Sequence, residues 1–164
     1  MTDNNAASAT TAPANTVVRS PTRDLTAFDT QDPAEAGTPV ELEDPFTNEP
    51  LTGADGEVIT WTLRGEDGET VRKVIKAQQT KRNDSINRGR GVQVDPDTVE
   101  RQQLERLLAA TVTYSGNMLM LDGQAMVPFT RELARTLLTD PRFRWLPEQL
   151  SRALGDRKRF LPKG

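Results

Sequence analysis

Hydrophobic and polar residues alternate most regularly at 57–64. Ile59, Trp61 and Leu63 fall on one side of an extended chain, with valine and threonines between them on the other side. Such alternation predicts a half-buried β-strand. A shorter alternation places Val40 and Leu42 between proline and glutamates, which predicts an edge strand, where proline is tolerated. Turn-forming pairs separate the two segments, so region 38–68 is predicted to form a β-hairpin or small meander.

After residue 68 the apolar residues recur at the three- and four-residue spacing of amphipathic helices. Asp95 followed by proline predicts a capped helix start, Thr130 predicts another, Pro147 opens the last helix and Gly155 ends it. The second helix is predicted to stop just before Ser115. The four apolar stripes are Val71, Val74 and Ile75; Val99, Leu104, Leu107, Leu108 and Val112; Leu133, Ala134, Leu137 and Leu138; and Leu146, Leu150, Ala153 and Leu154.

The first 40 residues differ in composition from the rest. Ala, Thr, Pro, Asn and Ser supply 25 of them, and Leu, Ile, Val and Phe supply five. A segment this polar cannot bury enough apolar surface to offset the entropy of ordering its backbone. We therefore predict a disordered N-terminal arm over 1–37, which is either a solvated tail or a segment that docks on a partner. The predicted fold class is α+β: a single small domain over 38–164, with the hairpin region (38–68) packed on about four helices (69–161).

The composition excludes several classes of function. The 164 residues contain no His and no Cys, which removes Ser-His-Asp and Cys-His catalysis, disulfides and the usual zinc sites. The stretch 65–68 lies where phosphate-binding loops occur, but it lacks the Lys and Ser or Thr of such loops and carries its own carboxylates. Asp95 and Asp97 are better explained as helix-capping residues than as calcium ligands. We expect a non-enzymatic protein without a cofactor or metal.

Charge is strongly segregated although the net charge is only −3. Residues 41–70 hold nine acids and one base, for −8, and residues 71–94 hold seven bases and one acid, for +6. Residues 141–164 hold seven bases and two acids, for +5. The first interpretation is that the acidic hairpin lies beside the basic helix and the two partly neutralise each other.

A surface for a partner is the alternative interpretation of the basic segment. Phosphate binding needs mainly Lys and Arg, but 72–90 contains no aromatic residue on which bases could stack, which argues against nucleic acid. An acidic protein is the other possible partner. The candidate basic surface comprises Arg72, Lys73, Lys76, Lys81, Arg82, Arg88 and Arg90.

Aromatic residues near the C-terminal end are candidates for protein binding. Phe143 and Trp145 alternate with arginines, a combination enriched at interface hot spots, although Trp145 could equally cap the core between the last two helices. Phe160 and Leu161 could form an exposed docking peptide or pack on the domain. The candidate partner-binding residues are Phe129, Phe143, Trp145, Leu146, Phe160 and Leu161.

Several short motifs follow one another between residues 40 and 161. Asp-Pro-x-Thr-x-Glu-Pro-Leu at 44–51 leads into Asp-Gly-Glu-Val-Ile-Thr-Trp at 55–61, a basic helix, and a helix ending Tyr-Ser-Gly at 114–116. Val-Pro-Phe-Thr follows at 127–130, Trp-Leu-Pro-Glu-Gln at 145–149 and Asp-Arg-Lys-Arg-Phe-Leu at 156–161. In this order the motifs resemble those of the tail assembly chaperones of long-tailed bacteriophages.

That resemblance implies a non-catalytic role in phage tail morphogenesis. The protein would bind the tape-measure protein, keep it soluble in the host cytoplasm and help recruit subunits of the tail-tube protein, with self-association as a further possibility. The sequence shows no signal peptide and no apolar run of the roughly 20 residues that span a bilayer, so we expect no membrane association. The alternatives are a virion structural protein of the tail or head–tail connector, and a nucleic-acid-binding regulator that uses the basic segment.

Overall fold

The computed structural model describes residues 29–89, 95–116 and 128–161. The predictions for residues 1–28 of the arm and for Arg90 lie outside these ranges. Within them, a three-stranded antiparallel sheet packs with five α-helices, which confirms the α+β class. The strands are β1 (Thr38–Glu41), β2 (Thr60–Leu63) and β3 (Thr111–Tyr114). The helices are α1 (Gln31–Ala36), α2 (Glu69–Asn87), α3 (Pro96–Ala110), α4 (Arg131–Thr139) and α5 (Trp145–Gly155), and short 3-10 helices span Pro141–Phe143 and Arg157–Phe160.

The central strand of the sheet is β2, which pairs with β1 on one side and β3 on the other. Val40 lies opposite Trp61, and Trp61 lies opposite Tyr114. Ile59, Trp61 and Leu63 are all buried, as their alternation predicted. Two isolated bridges, at 43–50 and 52–58, extend the connection between β1 and β2 beyond the sheet.

The third strand corrects the prediction for the second helix. That helix, α3, ends at Ala110, and the next four residues form β3 instead of another helical turn. Thr111 receives a hydrogen bond from the Trp61 indole (3.1 Å) and donates one to the Leu107 carbonyl (2.7 Å). The free edge of β2 thus offers backbone partners to a β-branched Thr-Val-Thr segment, and tertiary pairing outweighs the helical spacing of Val112.

Helix α1 corrects the predicted boundary of the N-terminal arm. It occupies 31–36, inside the stretch that composition assigned to a disordered arm. Ala34 is 1% exposed, and its carbonyl accepts a hydrogen bond from the Gly65 amide (2.9 Å). Composition averaged over 40 residues concealed one small apolar side chain that fits against the loop after β2.

Helix α3 contacts α2, α4 and α5, so the helical part is built around it. The hydrophobic core joins the inner faces of the sheet and the helices, and its most deeply buried members include Trp61, Leu63, Leu107 and Leu150. The predicted stripe of the last helix is buried along its whole length. That helix begins at Trp145, two residues earlier than predicted, because its proline is tolerated within the first turn.

Candidate functional site

An exposed aromatic side chain projects from the connection between β1 and β2. Phe46 is 91% exposed, and residues 43–50 around it are called the Phe46 turn below. The Asp44 carboxylate accepts hydrogen bonds from the backbone amides of Phe46 (2.7 Å) and Thr47 (3.2 Å). Backbone bonds from the Asn48 amide to the Asp44 carbonyl and from the Asp44 amide to the Glu49 carbonyl, both 2.8 Å, close the turn. Local hydrogen bonds therefore order the backbone that presents this ring to solvent.

The Phe46 turn is also attached to helix α5. The Gln149 side-chain amide donates to the Glu43 carbonyl (2.9 Å) and accepts from the Glu43 backbone amide (3.2 Å). Trp145 precedes Gln149 by four residues, so the two lie on the same face of the helix. One face of α5 thus carries both the half-buried Trp145 and the side chain that holds the turn.

Acidic side chains lie on both chain segments of the turn. Glu41, Glu43 and Glu49 are exposed, and none of them forms an ion pair with any residue that the structure describes. Pro45 and Pro50, in the same turn as Phe46, are also exposed. The turn thus combines an exposed aromatic ring with exposed carboxylates, and it was not among the sites predicted from the sequence. The signal was the aromatic residue between Asp-Pro and Thr-Asn, a turn context that offers no core for it.

Two of the predicted partner-binding residues belong to the core. Leu146 and Phe160 are each 3% exposed. Phe160 packs so closely on Gly65 that a Cβ atom on that glycine would lie 2.7 Å from the phenyl ring, and Ala34 lies on the same side of Gly65. The interpretation of residues 160 and 161 as an exposed docking peptide is therefore wrong for Phe160, while Leu161 is half-buried.

The remaining predicted aromatics are half-buried and lie in different surroundings. Phe129 packs edge-on against Tyr114, with ring centroids 5.1 Å apart, and lines an open groove of about 520 Å³ together with Leu108. Phe143 lies in the 3-10 helix before α5, with the Arg142 guanidinium 5.8 Å from its ring centroid. Of these three aromatic residues, Phe143 and Trp145 lie close together in the chain, at the beginning of α5.

The basic surface lies on α2, whose C-terminal half is exposed. Lys73 pairs with Glu69 (2.7 Å), and this hydrogen bond raises the pKa of the lysine. Beyond Gln78 the helix has no further buried residue, and Ile86 is 51% exposed. The other cations of this surface within the described ranges are exposed and form no ion pair there; they are Arg72, Lys76, Lys81, Arg82 and Arg88.

The expected neutralisation between hairpin and helix is not seen at the Phe46 turn. The carboxylates of Glu41, Glu43, Asp44 and Glu49 form no ion pair with α2. Farther along the acidic segment, Asp67 pairs with Arg157 of the C-terminal 3-10 helix (2.7 Å). No ion pair therefore links these four carboxylates of the acidic segment to the basic helix.

The shifted pKa values belong to structural contacts. Hydrogen bonds from Thr70 lower the pKa of Glu35, and hydrogen bonds from Arg142 lower that of Asp140. Burial raises the pKa of Tyr114, whose hydroxyl donates to the Pro128 carbonyl (3.0 Å). Among the described residues, no three acidic side chains are grouped so that they could hold a metal ion, and no helix is long and apolar enough to cross a membrane.

Comparison with known proteins adds no relative. No family model, no curated protein and no solved structure matches this chain. Any function must therefore be argued from the surfaces of the molecule and from the order of its sequence motifs.

Proposed function

We propose that this protein is a non-enzymatic tail assembly chaperone of a long-tailed bacteriophage. It binds the tape-measure protein, keeps that long apolar client soluble and helps recruit tail-tube subunits during tail morphogenesis. The observation that carries the proposal is the exposure of Phe46 on a hydrogen-bonded turn. The motif order from 44 to 161 supports the family, and Phe46 lies within the first of those motifs.

An exposed aromatic ring suits a chaperone because covering it is favourable. A Phe side chain that becomes buried removes roughly 150 Å² from water, and at about 25 cal/mol per Å² this is worth several kcal/mol before the costs of association. A client with an amphipathic helix can supply the cover, since helix faces commonly dock on exposed apolar surfaces. Trp145, one of the predicted partner-binding residues, lies one helical turn before Gln149, the residue that anchors the turn.

Co-expression with the tape-measure protein from the same genome tests the proposal. We expect the client to remain in the supernatant after centrifugation with the wild-type chain and to sediment with the Phe46→Ala variant. Val99→Ala is the matched control, because Val99 is an exposed apolar residue (46%) on a different element, α3. A client that sediments even with the wild-type chain would refute the chaperone function.

The basic surface of α2 supports a second candidate function, binding of nucleic acid. Five of its cations have no ion-pair partner within the described ranges, so no described carboxylate would compete with a phosphate for them. Titration with DNA and RNA over a range of salt concentrations tests this candidate. Phosphate contacts predict a steep loss of affinity with salt, and the slope should fall by about one unit for each cation removed, as in Lys81→Gln and Arg82→Gln. Absence of binding at low salt would eliminate it.

A further inference from the structure

We infer that the Phe46 turn selects a basic amphipathic segment, in which Lys or Arg side chains border an apolar stripe. This inference rests on the proposed function in one respect: it names the chemistry of the client segment that binds at the same turn. Three properties of the turn support it: an exposed apolar surface, carboxylates that form no ion pair with any described residue, and a hydrogen-bonded backbone.

The apolar surface is small. Phe46 and Pro45 are adjacent in the chain, and the bridge between Glu43 and Pro50 places Pro50 at the base of the same turn. All three apolar residues are exposed. A surface of this size covers one stripe of a helix rather than a flat protein face, because a single aromatic anchor with a small rim fits between side chains one helical turn apart.

The carboxylates decide the charge of the partner. Glu41 and Glu43 are two residues apart on the solvent side of one extended segment, roughly 7 Å along the chain, and Glu49 lies on the returning segment. Contact with Phe46 would bring a partner close to these groups and remove part of their water. An apolar or acidic border on the partner would leave that desolvation uncompensated, whereas Lys or Arg would offset it.

The fixed conformation makes this selection possible. Asp44 holds the top of the turn through two backbone amides, and Gln149 holds its base through two hydrogen bonds to Glu43. A turn that is already ordered loses little entropy on binding, so a small contact area can still give measurable affinity. The same hydrogen bonds fix the backbone from which Phe46, Glu43 and Glu49 project.

Two labelled synthetic peptides of about 18 residues, or five helical turns, provide the test. Both carry the same leucine stripe, and the polar face is Lys in one and Glu in the other. Binding to the full chain is measured by fluorescence anisotropy at low salt and at about 0.5 M salt, where screening removes most of the charge effect. We expect the Lys peptide to bind at least about tenfold more tightly at low salt, and the difference to shrink at high salt.

Variants separate the turn from the rest of the molecule. Phe46→Ala should weaken the Lys peptide about tenfold or more, and the pair Glu43→Gln with Glu49→Gln should weaken it while reducing its salt dependence. The control pair, Glu100→Gln with Glu132→Gln, makes the same change of net charge at exposed positions on α3 and α4 and should leave affinity unchanged. Circular dichroism checks that each variant is folded. If Phe46→Ala does not fold, the Glu43→Gln and Glu49→Gln pair still provides a decisive test.

Equal binding of the two peptides would overturn the inference, as would unchanged affinity of the Lys peptide in the turn variants. The proposed chaperone function can be wrong or right independently of this inference. If the Lys peptide is selected but the tape-measure protein still sediments, the chaperone function is wrong and the charge selection stands. If the tape-measure protein is solubilised by a chain that does not discriminate the peptides, the reverse holds.

Discussion

The first turn of α2 is held by a carboxylate from another helix. Gly68 precedes this helix and has no side chain with which to cap it. Glu35 of α1 takes that role, since its carboxylate accepts the Thr70 backbone amide (2.9 Å) and also receives the Thr70 hydroxyl. Arg64 Nε lies 3.0 Å from the same carboxylate in an ion pair, although it has no acceptor in hydrogen-bonding geometry. One residue thus joins α1, the end of β2 and α2.

Glu35→Gln should destabilise the protein at pH 7, and the loss should shrink as the pH is lowered. Hydrogen bonds from Thr70 hold the pKa of Glu35 below its ordinary value of 4.5. A lowered pKa in the folded state means that ionised Glu35 stabilises the fold above pH 4.5, and that this contribution is lost as the pH falls through the folded value. We expect a loss of about 1 kcal/mol at pH 7, the scale of a helix cap, and no more because Glu35 is a third exposed (34%).

Urea unfolding of the wild-type chain and the variant at pH 7 and at a series of lower pH values measures this effect. Glu100→Gln is the control, because Glu100 is exposed on α3 and has no side-chain partner within the described residues. Its stability should match that of the wild-type chain across the series. If Glu35→Gln were as stable as the wild type at pH 7, a stabilising contribution of the ionised carboxylate would be excluded.

Among the helices and strands, the features that were predicted correctly are those that depend on the local spacing of residues. The alternation around Trp61 and the stripe of α5 both appear in the structure as buried faces, and Thr130 caps α4 through a hydrogen bond from the Leu133 amide (3.1 Å). These features follow from neighbours within one or two turns of the chain. Their physical cause is contained in the segments themselves.

The strand and the helix that were not predicted from the sequence depend on contacts with residues far away along the chain. Strand β3 forms where the edge of β2 is free, and the Ser115 amide completes the pairing by donating to the Thr60 carbonyl (2.8 Å). Helix α1 is ordered by the loop after β2 and by the first turn of α2. The Phe46 turn was missed for a different reason: its hydrogen bonds are local and its turn-forming residues are visible in the sequence, but the exposure of the ring was not inferred from them. The spacing of apolar residues within a segment gives no information about these contacts.

In the whole molecule, the C-terminal 3-10 helix contacts the N-terminal elements, and these contacts are called the closure below. Phe160 packs on Gly65, the Arg159 carbonyl accepts from the Thr38 hydroxyl (3.4 Å), and Arg157 pairs with Asp67. The closure uses the segment that the sequence interpretation offered as a docking peptide. Phe160 therefore contributes to the stability of the fold, whereas the proposed binding surface is the Phe46 turn.

The closure predicts that Phe160 and Gly65 are energetically coupled. Phe160→Ala empties a core site and should cost about 3–5 kcal/mol, and Gly65→Ala should cost about 1–3 kcal/mol because its methyl group meets the phenyl ring. In the double variant the contact with the ring is gone, although the Cβ atom of residue 160, 2.8 Å away, remains, so part of the strain is relieved and the combined loss should be smaller than the sum of the two single losses. Urea unfolding of the four chains gives the coupling, with Gly116→Ala as a neutral control because a Cβ atom there meets no described atom within 4 Å. Additive losses would contradict the packing of the ring on Gly65.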